Sequence, residues 1–230
     1  MLSGNIDFAQ ILMQYFCLLF SLCVHEAAHA AMANYCGDPS ARLLGRMTID
    51  PRKHIDPMGT VILPLIMMMM PGSYLFGWAK PVPFNPHNLK NFKRDPVLIA
   101  LAGPASNVLI ALTSAILLRV LLLLVVNEVG IPNPDIFIKL LGGMIIINIV
   151  LALFNLIPLP PLDGHHVLYY FLPQSGKEML GKIGPFGIII AILVLAPLLQ
   201  TPMMYCFIFF LKIGAQGLVD IPQLLQIMFS

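Results

Sequence analysis

Val24-His25-Glu26-Ala27-Ala28-His29-Ala30 decides how this chain folds, because it sets three polar residues inside an otherwise almost wholly apolar stretch, Ile6 to Cys36. At about 100° per residue, His25 and His29 leave a helix within about 40° of each other, on one face. Two neutral imidazoles so placed can bind one Zn²⁺, and Glu26, one residue round, can reach the metal's water as a general base. Polar groups in lipid are expensive, so a His-Glu-His set there has a task; the bland alternative is hydrogen bonding within a packed bundle. A hydrolytic site needs a third ligand from elsewhere and a fourth position left open.

Composition makes the apolar setting a property of the whole chain. Of 230 residues, 58% are hydrophobic and only 10% charged, with a mean hydropathy of +0.86. A water-soluble domain has no interior large enough for that much apolar surface, so the expected fold class is an all-α polytopic membrane protein in one domain, 1–230. The net charge of +2 includes no basic run that suggests nucleic acid as a partner. The first Lys or Arg is Arg42, so the first apolar segment lacks the basic start of a signal peptide and is expected to stay as an anchor. Cys17, Cys23, Cys36 and Cys206 form no C-x-x-C pair and are expected to be reduced packing residues.

The apolar segments predict a bundle of about five to six transmembrane helices. The first runs from about Phe8 to Tyr35 and stops at Gly37-Asp38-Pro39. Thr60 to Leu75 is apolar but interrupted by Pro64, Pro71 and Gly72, and Trp78 to Pro86 has the alternating prolines of an extended, edge-like chain. Spans are expected at Pro96–Val126 and Ile136–Ile157, then at Ile183–Leu199 and Met203–Val219 with a break at Thr201-Pro202. The catalytic core is expected over about 8–172, with C-terminal helices over about 183–219. Arg42, Arg46, Arg52 and Lys53 lie before the 60–75 segment, and Lys80, Lys90, Lys93 and Arg94 after it. Both basic stretches are inside if that segment re-enters, turning at Pro71-Gly72, and the acidic loop 127–135 is then outside. The Met67–Met70 run reads as lipid-facing or filler.

In that topology the chain returns to the level of His25 at Asn155-Leu156-Ile157-Pro158-Leu159-Pro160-Pro161-Leu162-Asp163-Gly164-His165-His166. Asp163 is a suitable third ligand, beside a glycine that lets the backbone approach. His165 and His166 compete with it on spacing alone, and an N-cap role is the structural alternative for Asp163. Asn107 and Asn155 can each donate to a developing oxyanion or bridge helices, whereas Asn148 reads as interhelical glue. His54 and His87 read as loop residues.

The chain resembles the site-2 proteases, intramembrane zinc metalloproteases. The resemblance lies in His25-Glu26-Ala27-Ala28-His29, Ala102-Gly103-Pro104-Ala105-Ser106-Asn107 and Asn155 through Gly164, together with Asp50–Pro57 and Trp78–Asn85. These cover most of residues 20–170, and their order fits the short members without PDZ or CBS domains. The resemblance implies Asp163 as third ligand, Asn155 near the zinc, and a small membrane-embedded β element beside the site. With it go one Zn²⁺ per chain and a transmembrane protein or peptide as substrate in a bacterial or archaeal membrane, while the basic segments place the site nearer the cytoplasmic face. A metal transporter, or a zinc-binding protein without turnover, is the alternative. No second copy of the zinc motif supports transport, and a purely structural zinc prefers a closed four-ligand site.

Overall fold

The computed structural model describes residues 8–68, 77–184 and 186–229. Helix α1, Phe8–Tyr35, is 28 residues long, about 42 Å at 1.5 Å per residue and so longer than the roughly 30 Å hydrocarbon layer. Its buried ridge is Cys17, Ser21, His25 and His29 at intervals of four, while Phe8, Leu12, Phe16 and Phe20 are exposed on another face. The polar side of this helix therefore faces protein and its apolar side faces lipid, the reverse of a soluble amphipathic helix.

After α1 come the short α2, Ser40–Leu43, a 3₁₀ turn at Pro51–Lys53, and a π turn at Pro57–Ile62 that leads into α3, Leu63–Met68. Residues 77–85 are extended, and a 3₁₀ turn at Pro86–Asn88 precedes α4, Arg94–Val126. Helix α5, Pro134–Asn155, returns antiparallel beside α4, the closest packing in the fold. Two short helices follow, α6 (Gly164–Phe171) and α7 (Gln174–Ile183), then α8 (Phe186–Ile190), a π segment at Ala191–Leu195, α9 (Ala196–Ala215) and α10 (Ile221–Phe229).

The bundle is divided along its length. One half is a dry apolar core in which Ala111, Ala115, Leu118, Ile138, Ile145, Phe207, Leu211, Leu224 and Met228 of α4, α5, α9 and α10 interlock. Gly142 admits Met228 there, since a Cβ at 142 would lie 2.8 Å from its sulfur. The other half, at the C-terminal ends of α1 and α5 and the N-terminal end of α4, holds the buried polar side chains Ser21, His25, His29, Asn107 and Asn148.

Two expectations change. Among the described residues four helices, rather than five or six, are long and apolar enough to cross a membrane: Phe8–Tyr35, Arg94–Val126, Pro134–Asn155 and Pro197–Ala215. The expected break at Thr201-Pro202 is absent, because α9 runs through Pro202. In lipid the neighbouring backbone groups gain nothing by leaving the helix, so a proline there is tolerated. No strand occurs among the described residues. The extended chain at 77–85 pairs through isolated bonds, Trp78 N–H to Gly59 O (3.1 Å) and Lys80 N–H to His54 O (2.8 Å), and Pro81 and Pro83 have no N–H with which to continue a ladder. The turn expected at Pro71-Gly72 lies outside the described residues.

Candidate metal centre

His25 and His29 face the bundle from α1, and Asp163 reaches them from the loop between α5 and α6. Their Nε2 atoms are 3.0 Å apart, and Asp163 Oδ2 lies 3.1 Å from that of His25 and 3.3 Å from that of His29. The loop approaches closely because of Gly164. A Cβ there would collide with Leu156 O and stand 2.6 Å from Ile157 O, so only glycine lets the chain fold back on the end of α5. Asp163 heads α6 but makes no capping bond with its side chain. His165 turns its Nδ1 to Leu162 O at 2.6 Å, and the ring of His166 stands 5.9 Å from that of Phe84. Neither joins the three convergent groups.

Proton bookkeeping defines what this cluster can hold. Ile99 O lies 2.7 Å from His29 Nδ1; a carbonyl can only accept, so Nδ1 carries a proton, and in the neutral ring Nε2 keeps its lone pair. Asn107 Oδ1, 2.6 Å from His25 Nδ1, does the same for His25. With both rings neutral, two Nε2 lone pairs and a carboxylate oxygen thus converge on one point, and Asp163 Oδ2 is buried without a hydrogen-bond partner. A shared proton or a bound metal cation stabilises such a set. The donors suit Zn²⁺, whose ligands at about 2.0–2.1 Å in a tetrahedral shell sit about 3.3 Å from each other.

Gly103 of α4 closes one side. A Cβ on it would collide with His29 Nε2 and lie 2.6 Å from His25 Nε2. On another side Glu26 Oε2 accepts from the N–H of Val82 at 2.9 Å, so the extended chain is tied to the residue next to His25. That chain is held from behind by Arg46, which is buried and donates to Lys80 O (2.6 Å) and Pro81 O (3.3 Å). Asn155 turns its amide back to Leu151 O, one turn earlier in α5, at 3.0 Å. Asn148 donates to Ser21 Oγ and accepts from Asn107, linking α5 to α1 and α4. His54, expected at the surface or fixing a loop, is buried and bonded to Thr48 O at 2.7 Å. His87 lies in the exposed turn at 86–88.

Residues 123–198 match peptidase family M50. A Bacillus subtilis protein named "Putative zinc metalloprotease YwhC" is 35% identical over 186 residues, which is 79% of this chain and 79% of that one. The chain belongs to peptidase family M50. Proteins named "Putative zinc metalloprotease Rip2" from Mycolicibacterium smegmatis and Mycobacterium tuberculosis are 29% identical over 183 residues, 79% of this chain and 66% of theirs. No solved structure matches it significantly. An M50 chain with four membrane-length apolar helices is an integral membrane metallopeptidase of the site-2 protease family.

Some of this centre left little trace in the sequence of the M50 chain. Ser21 is an ordinary small residue in an apolar helix, and Val82 acts through its main chain. Asp38 did carry a signal. An acidic residue at a helix C-terminus opposes the macrodipole, which calls for compensating donors. Ser40 N and Oγ, Asn88 Nδ2 and Asn85 N supply them, the last at 2.6 Å, and tie the end of α1 to the end of the extended chain. Burial pushes the Asp38 carboxyl up, but these hydrogen bonds outweigh it and hold it below the usual carboxylate range.

Proposed function

We propose that this peptidase hydrolyses peptide bonds within transmembrane segments of other membrane proteins, using one zinc ion per chain held by His25, His29 and Asp163. The observation that carries this reading is the convergence of His25 Nε2, His29 Nε2 and Asp163 Oδ2, 3.0 to 3.3 Å apart, inside a membrane-spanning bundle. Zinc at such a site supplies Lewis acidity towards a carbonyl and makes water nucleophilic near neutral pH. Glu26 accepts the proton as water attacks the scissile carbonyl and returns it to the leaving nitrogen. Its bond to Val82 N–H aims the carboxylate while leaving a second oxygen for the water. Asn155 has one amide hydrogen committed to Leu151 O and a second to offer the developing oxyanion.

A transmembrane helix hides its peptide bonds and must unwind before it can be cut. The chain at 77–85 lies beside Glu26 and can receive the unwound segment. The N–H groups of Trp78, Lys80 and Val82 are already engaged, and Pro81 and Pro83 have none. Trp78 O, Lys80 O and Pro81 O also accept, from Thr60 Oγ1 and Arg46, so pairing with a substrate falls to the other main-chain groups of this segment.

The charge pattern supports a cytoplasmic position for the metal end. Every Lys and Arg except Arg119, Lys139 and Lys212 belongs to segments at that end of the bundle. The test of the chemistry is a set of purified variants assayed for zinc and for cleavage of a membrane substrate. Glu26→Gln is expected to keep zinc and lose cleavage, and Asp163→Ala to lose both. His165→Ala and His166→Ala are expected to keep the metal. Near-normal cleavage by Glu26→Gln, or full zinc in Asp163→Ala, refutes the mechanism.

A further inference from the structure

We infer that Asn148, which touches no metal ligand, is a positioning residue: through the Asn107 amide it fixes His25 in the Nδ1-protonated tautomer and so keeps the Nε2 lone pair turned to the metal. This rests on the zinc reading above.

One chain of hydrogen bonds runs through three helices and starts from a group that cannot be reversed. Met144 O is a carbonyl and can only accept. The Asn148 side-chain atom 2.8 Å from it is therefore the amide nitrogen, which also donates to Ser21 Oγ at 2.8 Å. The oxygen of Asn148 must then face Asn107, and the Asn107 atom 2.7 Å away must be its nitrogen. That leaves Asn107 Oδ1 toward His25 Nδ1 at 2.6 Å, so Nδ1 is the protonated nitrogen. Ser21, Asn107 and Asn148 are each 0% exposed, so no water can substitute for a missing link. His29 needs no such relay, because Ile99 O fixes its tautomer directly. One histidine is thus set by backbone and the other by two side-chain amides, of which Asn107 could turn over if Asn148 were lost.

A role as helix glue alone makes a different prediction, and two variants separate them. In Asn148→Leu the Asn107 amide loses its reference and can reverse. In Ser21→Ala one bond between α1 and α5 is lost, but Met144 O still orients Asn148. The zinc-free chain, labelled with ¹⁵N-histidine in detergent, reports the tautomers, with the His25 signals assigned by their loss in His25→Gln. Zinc affinity is measured separately by chelator competition.

The wild-type chain is expected to show both His25 and His29 protonated on Nδ1. Asn148→Leu is expected to give a tautomer mixture at His25 with His29 unchanged, and zinc binding weaker by on the order of 10- to 100-fold, the usual effect of losing a partner behind a ligand. Ser21→Ala is expected to keep the wild-type tautomers and zinc affinity while melting at lower temperature. Unchanged His25 tautomer and zinc affinity in Asn148→Leu overturn the inference. So does a wild-type His25 that carries its proton on Nε2 and none on Nδ1, a measurement that needs no variant to fold. The tautomer readout requires neither zinc nor substrate, so it stands apart from failure of the protease reading.

Discussion

Replacing Gly103 by alanine sets two effects against each other. An interior helical Gly→Ala change ordinarily stabilises by about 1 kcal/mol through lower backbone entropy in the unfolded chain. At position 103, however, the new methyl would lie 2.6 Å from His25 Nε2 and collide with His29 Nε2, where ordinary contact begins at 3.4 Å. The imidazoles or α4 must yield by about 0.8 Å, some four times the roughly 0.2 Å over which metal–ligand distances vary. The methyl also occupies the side from which the two nitrogens present their lone pairs. Gly103→Ala is therefore expected to melt at a lower temperature even when zinc-free, because overpacking against two buried rings outweighs the entropic gain, and to bind zinc more weakly by about 100-fold or more, the upper end of what lost supporting contacts cause. Metal content per chain after purification, followed by chelator competition, measures it. Full occupancy with native affinity would refute the placement of Gly103 against the two histidines.

Three further outcomes follow from the same geometry. Val82→Pro removes the N–H that Glu26 accepts in a segment whose extended conformation already suits proline; zinc is expected to stay and kcat to fall by about 10-fold, and an unchanged kcat means that this bond does not aim Glu26. Asp38 is held below its usual pKa of 3.8, so its stabilising contribution is complete above that value and is lost as pH falls through the lower, folded-state pKa; the melting-temperature gap between the wild type and Asp38→Asn should be constant above about pH 5 and close in acid, and a gap that widens in acid contradicts this. A cysteine at Lys80 or Asn91 should be labelled from the inner side of the membrane, as at Arg52, and labelling from outside reverses the orientation of the metal end.

The sequence by itself determined the membrane class, the limits of α1, and the His25–His29 pair. These depend on composition and on the 3.6-residue period, which are local properties. It also brought Asp163 forward, though spacing alone left His165 and His166 level with it. Their separation needed the fold of the 156–164 loop, where Gly164 packs against the carbonyl end of α5 and turns the carboxylate, not the imidazoles, toward α1. Helix count was misjudged at Pro202, because proline stops a helix in water more surely than in lipid, where the backbone has no better partner. Asn148 and Asn107 read in the sequence as possible links between helices, as they are in the fold, but the parts of Ser21 and Val82, and the atoms that the two amides meet, were beyond the sequence. A buried amide reads the same whether it joins helices or orients a ligand, and the difference lies in which atom of a distant helix it meets. Only the packing of α1, α4 and α5 brings Met144 O, two amides and His25 into one line, and that line decides which nitrogen of His25 carries its proton.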